Sequence, residues 1–159
     1  MPLGEVATRP AREEDFEFLY QLHRAAFRES VLETWGWDEE WQQAYFTEWF
    51  DADSRQVIEL EGQPIGCLAA RDGGNHLVLE YLALLPSVQN RGLGTRLVRE
   101  VLDQARSRSI PVQLNVLAVS PARSLYERLG FTIVGIDRVR YQMEWTPGRE
   151  AARSLPSPR

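Results

Sequence analysis

Between Leu77 and Val101 a strand, a glycine turn and a helix follow one another without a break, and this ordering leaves few folds open. The run Leu77, Val78, Leu79, Tyr81, Leu82, Ala83, Leu84, Leu85 reads as a strand buried on both faces. Pro86 closes it, because proline cannot donate to a ladder. After Gln89-Asn90-Arg91-Gly92-Leu93-Gly94-Thr95, the apolar residues Leu93, Leu97, Val98, Val101, Leu102 and Ala105 fall at helical spacing, so a helix opens at the glycines. A strand feeding such a turn presents bare backbone N–H groups at the positive end of a helix dipole, a place to hold a phosphate. Glycine at 92 and 94 lets backbone approach a ligand with no Cβ between them, and Arg91 and Thr95 add a cation and a hydroxyl. A dinucleotide fingerprint is excluded, because the position for its third glycine is Leu97. A P-loop is excluded as well, since the chain has no Gly-Lys-Ser/Thr triplet.

The pattern that fits is Gln-x-x-Gly-x-Gly after a proline-closed strand. A second block supports it: Ser120-Pro121-Ala122-Arg123-Ser124-Leu125-Tyr126-Glu127-Arg128-Leu129-Gly130-Phe131 reads as a short helix started by Ser120-Pro121 and stopped by Gly130. Together, and in this order, the two blocks resemble the GCN5-related N-acetyltransferases, with their Gln-x-x-Gly-x-Gly loop and later Ala-x-x-Leu-Tyr-Glu-x-x-Gly-Phe helix. The resemblance runs from about Thr8 to Trp145 and is densest from Leu77 to Phe131.

That resemblance implies an α/β fold with a mixed sheet, the acyl-CoA N-acyltransferase fold, in the order β-α-α-β-β-β-α-β-α-β-β. It implies acetyl-CoA as acyl donor, held by Leu84, Leu85, Gln89, Asn90, Arg91, Gly92, Leu93, Gly94, Thr95 and Ser120. It also implies that the Tyr126 hydroxyl lies near the thioester sulfur and protonates the leaving thiolate; the other reading of Tyr126 is a packing ring. Two departures stand out. Val119-Ser120 replaces the asparagine usual ahead of the tyrosine helix, and serine offers fewer donors. Asn90-Arg91 keeps one cation where the family often has two, which puts more of the pyrophosphate on the loop amides.

The remaining elements follow from local patterns. Glu5 to Arg9 reads as a first strand stopped by Pro10. Glu13, Glu14 and Asp15 put acids in a helix's first turn, and Phe16 to Phe27 carry that helix toward a loop with Gly36. A second helix spans about Glu39 to Phe50; Gln56–Leu60 and Pro64–Arg71 form a hairpin about Glu61-Gly62-Gln63. Val112–Val116 is a further strand, and Phe131–Trp145 gives a final pair around Asp137. Residues 1–146 read as one domain and 147–159 as a disordered tail, Gly, Pro, Ser and Arg without periodicity.

Four of the five tryptophans fall within Trp35-Gly36-Trp37-Asp38-Glu39-Glu40-Trp41 and the helix after it. Trp41, Tyr45 and Trp49 are at helical spacing, which favours packing on the sheet. The alternative is an acceptor-site wall, because in the resembled family the two early helices and their loop border the acceptor. On that reading Trp35, Trp37 and Trp41, with acids between them, suit an amine with an apolar or cationic body. Amine acetylation also needs a proton acceptor. Glu80 is the only charge in the Leu77–Leu85 run, and burial there would raise its proton affinity; pairing with an arginine or an exposed position is the competing account. His23 reads as a packing histidine and His76 as a solvated one, so no triad or metal site is in view.

Net charge of −5 argues against nucleic-acid or anionic-membrane binding. The lone Cys67 permits no internal disulfide, fits a reducing compartment and reads as a buried inert thiol. With no membrane-length apolar run and no signal layout, the expected location is the cytoplasm. The function expected is direct acetyl transfer to a primary amine of a small molecule or peptide, without a metal. The alternative is a non-catalytic acyl-CoA-binding sensor or interaction domain. The acceptor and homodimer formation stay open.

Overall fold

A computed structural model describes residues 4–148. The elements are β1 (Val6–Pro10), α1 (Phe16–Trp35), α2 (Glu39–Trp49), β2 (Gln56–Leu60), β3 (Gln63–Asp72), β4 (Leu77–Leu84), α3 (Leu93–Ser107), β5 (Val112–Leu117), α4 (Ala122–Arg128), β6 (Thr132–Asp137) and β7 (Arg140–Trp145), with 3-10 turns at Glu13–Asp15, Ala52–Ser54 and Pro86–Val88. This is the order expected from sequence. The seven strands hydrogen-bond in the order β1-β2-β3-β4-β5-β7-β6, with β4 parallel to β5 and the β1–β2, β2–β3, β5–β7 and β6–β7 pairs antiparallel, a mixed sheet. The described residues form two compact units: 4–70 with 80–91, and 71–79 with 92–148. The tail expected at 147–159 lies outside the described residues from position 149 onward.

In the first unit, α1 runs on to Trp35 because no breaker interrupts it before Gly36, which ends it at φ 87°. Trp35 therefore closes a helix, where the sequence suggested a loop. Asp38 caps α2 by accepting from the Trp41 N–H at 3.0 Å, and Glu39 and Glu40 follow in the first turn. The β2–β3 hairpin turns on Glu61 and Gly62, both at positive φ (52° and 78°), the primed geometry that matches strand twist. Leu19, Tyr20, Leu22, Phe46, Val57, Cys67 and Ala83 form the core of this unit. Arg9 ties β1 to the turn before α1 through two hydrogen bonds to Asp15 (2.8 and 2.9 Å) and to β2 through Glu59 (3.0 Å). The guanidinium holds the Asp15 carboxyl below its usual range.

In the second unit, all six apolar positions picked out on α3 are buried. Alternation along β5 buries Val112, Leu114 and Val116, and β7 adds Met143 and Trp145. The Trp145 ring is fully buried, and the Arg106 guanidinium lies 5.3 Å from its centroid. Arg108 pairs with Asp72 at 2.8 Å and donates to the Gly74 carbonyl at 3.0 Å, closing the turn before β4. Among the described residues no helix is long and apolar enough to cross a membrane.

Candidate acetyl-transfer site

The strand that the sequence marks as buried on both faces is buried on only part of its length. β4 buries Leu77, Leu79, Ala83 and Leu84 but exposes Glu80. The desolvation argued for Glu80 is therefore not supplied by burial. At the end of β4, Leu84 is buried and Leu85 half-buried, and the Leu85 N–H donates to the Ile65 carbonyl at 2.9 Å. Gln89, which heads the glycine loop, turns back and donates from Nε2 to the Leu84 carbonyl at 2.8 Å, which braces the loop against its own strand. Asn90 takes a left-handed φ of 62°, open to asparagine at low cost, and Asn90 and Arg91 are exposed.

The second unit resumes at Gly92, which caps α3 at φ 83°. A Cβ there would meet nothing within 4 Å, so the residue borders open space. The Gly92 carbonyl accepts the first helical bond, from the Arg96 N–H at 3.1 Å. No side chain caps this helix start and no acid sits in its first turn. The amides of Leu93, Gly94 and Thr95 thus precede the first intrahelical donor, at the positive end of the dipole. The Leu93 side chain is buried, so only its backbone is offered. This is the chemistry of an anion cradle, and the residues present fit a pyrophosphate.

Also in this unit, Ser120 Oγ accepts from the Ala122 N–H at 3.2 Å, although Pro121 and not Ser120 stands at the N-cap of α4. Tyr126 is buried, with its ring edge-on to Phe131 at 5.6 Å. Burial pushes its phenol up to about 12, so it holds its proton at neutral pH.

Back in the first unit, the structure assembles a group that the sequence did not reveal. His23 on α1 and Tyr81 on β4 meet at 3.3 Å between Nδ1 and the hydroxyl, and His23 Nε2 lies 3.3 Å from Gln42 Oε1 on α2. Because Oε1 accepts, Nε2 carries the hydrogen and Nδ1 is left to accept from the Tyr81 hydroxyl. Burial pushes the His23 imidazole below its ordinary value against the Gln42 hydrogen bond, and the nearby Arg55 charge adds to the push. The imidazole is neutral at pH 7. Burial likewise raises the Tyr81 hydroxyl well above its usual value. The Arg55 guanidinium stacks 4.4 Å from the Tyr81 centroid, and its Nη1 donates to Cys67 Sγ at 3.8 Å. Cys67 is buried with its thiol shifted upward by burial, an inert thiol as expected.

Trp37 is half-buried and packs 6.1 Å from the His23 ring, and its indole N–H donates to Glu39 Oε2 at 2.9 Å. Glu39 also accepts from the Tyr20 hydroxyl at 3.0 Å and pairs with Arg24 at 2.8 Å, so one carboxylate fixes the Trp37 loop to α1. Of the three tryptophans singled out, only Trp37 joins this cluster; Trp35 and Trp41 are exposed. The core account of the α2 stripe is overturned: Trp41, Tyr45 and Trp49 face outward, and Gln42 and Phe46 form the buried side. Among the described residues, no three His, Cys, Asp or Glu side chains are grouped to hold a metal ion.

A family model described as Acetyltransferase (GNAT) family matches residues 16–131, and the chain belongs to that family. Streptothricin acetyltransferase of Streptomyces lavendulae is 32% identical over 115 residues, 68% of this chain and 61% of that protein. The 5-NmdU N-acetyltransferase of Pseudomonas phage PaMx11 is 30% identical over 81 residues, 50% of this chain and 57% of that protein. The chain thus spans about three fifths of the length of the curated relatives it matches. The PaiA N-acetyltransferase of Thermoplasma acidophilum, solved in complex with coenzyme A, superposes with TM-score 0.74 at 18% identity over 89% of this chain and 99% of that one, a likeness of fold.

Proposed function

We propose that this chain is an acetyl-CoA-dependent N-acetyltransferase that moves the acetyl group directly to a primary amine of a small molecule or peptide. The observation that carries the reading is the uncapped start of α3 behind Gly92, left-handed and bordering open space, in the family's coenzyme motif. The curated relatives, whose names record acetylation of streptothricin and of 5-NmdU, support a small-molecule acceptor.

The chemistry requires a neutral amine, a donor for the departing sulfur, and no competing nucleophile. Cys67 is buried and its thiol disfavours ionisation, so an acyl-cysteine route has no support and the amine attacks the thioester carbon itself. The nitrogen–carbon bond forms as the carbon–sulfur bond breaks, and the ammonium proton leaves to a base. Tyr126 donates a hydrogen bond to the thiolate as it forms. Two acceptors for the ammonium proton stand on β4. Glu80 takes it as an exposed carboxylate; Tyr81 takes it while passing its own to neutral His23 Nδ1. Trp37, packed on His23 and anchored by Glu39, forms the apolar wall for the acceptor.

The test is calorimetric titration with coenzyme A followed by thiol release from acetyl-CoA against a panel of amines. All 18 cations are arginine, so the enzyme has no lysine amine of its own to blur the signal. Micromolar CoA binding with turnover of at least one amine is expected. CoA binding without turnover across the panel selects the sensor reading, and no CoA binding removes both.

A further inference from the structure

Trp41, Tyr45 and Trp49 stand on one row of α2 and are 57%, 47% and 64% exposed. They touch each other rather than the core: Trp41 and Tyr45 stack at 5.0 Å with 11° between planes, and Tyr45 meets Trp49 at 6.1 Å. At ~200 Å² per aromatic side chain, the ladder leaves roughly 300–350 Å² of ring surface in water. A patch of that size is in the range of the largest apolar patch on an ordinary monomer, and such a patch is often functional. It falls well short of the ~800 Å² that each partner contributes to a stable protein interface.

The charge around the ladder says what kind of partner fits. From Trp35 to Ser54 the chain has no basic residue; Glu39 is paired with Arg24 of α1, and the other acids of the segment are Asp38, Glu40, Glu48, Asp51 and Asp53. Glu48, three residues after Tyr45 and seven after Trp41, flanks the ladder on its outer side. A two-fold dimer would set the same acidic patch against itself, and like charges would oppose it. A nucleic-acid strand would stack on the rings but bring phosphates to the acids. Cationic side chains gain from both features, the aromatic surfaces and the carboxylates. The spacing narrows this further. Residues four apart on a helix rise by ~6 Å. Alternate side chains of an extended peptide repeat every ~6.6–6.8 Å on one side. Successive cations at every second position of an extended segment therefore meet successive rungs.

We propose that the Trp41–Tyr45–Trp49 ladder docks an extended peptide segment with cationic side chains at alternate positions. Its rungs are not members of the His23–Tyr81–Gln42 group, and its occupancy does not require turnover.

The test uses the full chain without acetyl-CoA and a six-residue Arg-Thr repeat, blocked at both ends so that it offers no acylatable amine. Calorimetry is expected to show saturable binding, tighter than for a peptide of the same composition with its three arginines consecutive. A Glu-Thr repeat should not bind. Trp41→Ala with Trp49→Ala should weaken binding at least tenfold, and Glu48→Gln severalfold, with unchanged circular dichroism and CoA affinity. CoA binding in the same variants shows that the fold and the coenzyme site persist whatever the peptide does. Absence of binding overturns the proposal, as does binding that survives loss of both tryptophans. A dimer in sedimentation that dissociates on Trp49→Ala also overturns it and assigns the ladder to a second copy.

Discussion

Replacing Gly92 by alanine separates what the loop does for folding from what it does for coenzyme A. Gly92 sits at φ 83°, where an L-residue is disfavoured by roughly 1–2 kcal/mol. Its Cβ would meet nothing within 4 Å, so no steric clash adds to that cost. For a chain of this size each kcal/mol moves Tm by about 2–4 °C. Gly92→Ala should therefore melt roughly 2–8 °C lower and remain folded. The methyl, however, enters the open side of the residue from which the pyrophosphate is expected to approach. CoA affinity should fall more than tenfold, a loss above about 1.4 kcal/mol. Gly62 supplies the control: it has φ 78°, lies in the β2–β3 turn, and its Cβ would likewise meet nothing within 4 Å. Gly62→Ala should show a similar drop in Tm with CoA affinity intact. Differential scanning calorimetry and isothermal titration on both variants read the two quantities separately. If Gly92→Ala loses stability while its CoA affinity matches the wild type, the coenzyme does not lie against Gly92 and the reasoning fails.

Tyr126→Phe keeps the buried edge-on contact with Phe131 and removes only the hydroxyl, so turnover should fall by roughly 10²-fold with CoA affinity little changed. With its phenol pushed up to about 12, the wild-type rate should show no Tyr126-dependent decline between neutral pH and pH 10, and such a decline would contradict the donor role. Gly66→Ala would set a Cβ 2.6 Å from the Ala83 carbonyl and 2.8 Å from Leu84, directly behind the Leu84–Gln89 brace. A loss of about 1–3 kcal/mol by urea titration is expected, and wild-type stability would show that β4 yields freely. His23 is held neutral below its ordinary value, so the unfolded chain takes up that proton first. Its contribution to stability is whole above about pH 6.5 and is lost progressively as pH falls below that value. Tm measured from pH 8 to pH 5 should drop more steeply in the wild type than in His23→Gln, and parallel curves would exclude His23 as the source.

What could be read in advance was local. The α3 stripe, the strand that feeds it and the Glu61-Gly62 turn depend on neighbours within a few residues, and each was legible as periodicity or turn chemistry. Period alone could not tell which side of α2 faces inward: Trp41, Tyr45 and Trp49 share one row with helical spacing, but Gln42 and Phe46 make the buried row beside it. Glu80 misled for a related reason, since an apolar run does not reveal which single position the neighbouring elements leave uncovered. The His23–Tyr81–Gln42 group had no local signal at all. Its members come from three elements, with His23 and Tyr81 58 residues apart, and only tertiary packing makes them neighbours. A histidine on the apolar face of α1, opposite a strand containing a lone tyrosine, was the one hint available.

The unequal burial of the tryptophans gives each unit its own optical reporter. Trp145, sealed in the second unit beneath Arg106, should emit at short wavelength and resist collisional quenchers. Trp41 and Trp49, bare on α2 in the first unit, should emit near the wavelength of indole in water and be quenched readily by iodide or acrylamide. Difference spectra with and without quencher therefore resolve the chain into two signals without any label. A change in the quencher-resistant band during heating reports the packing of α3 on its strands, while the quenchable band, to which exposed Trp35 at the end of α1 also contributes, follows α1 and α2 of the first unit.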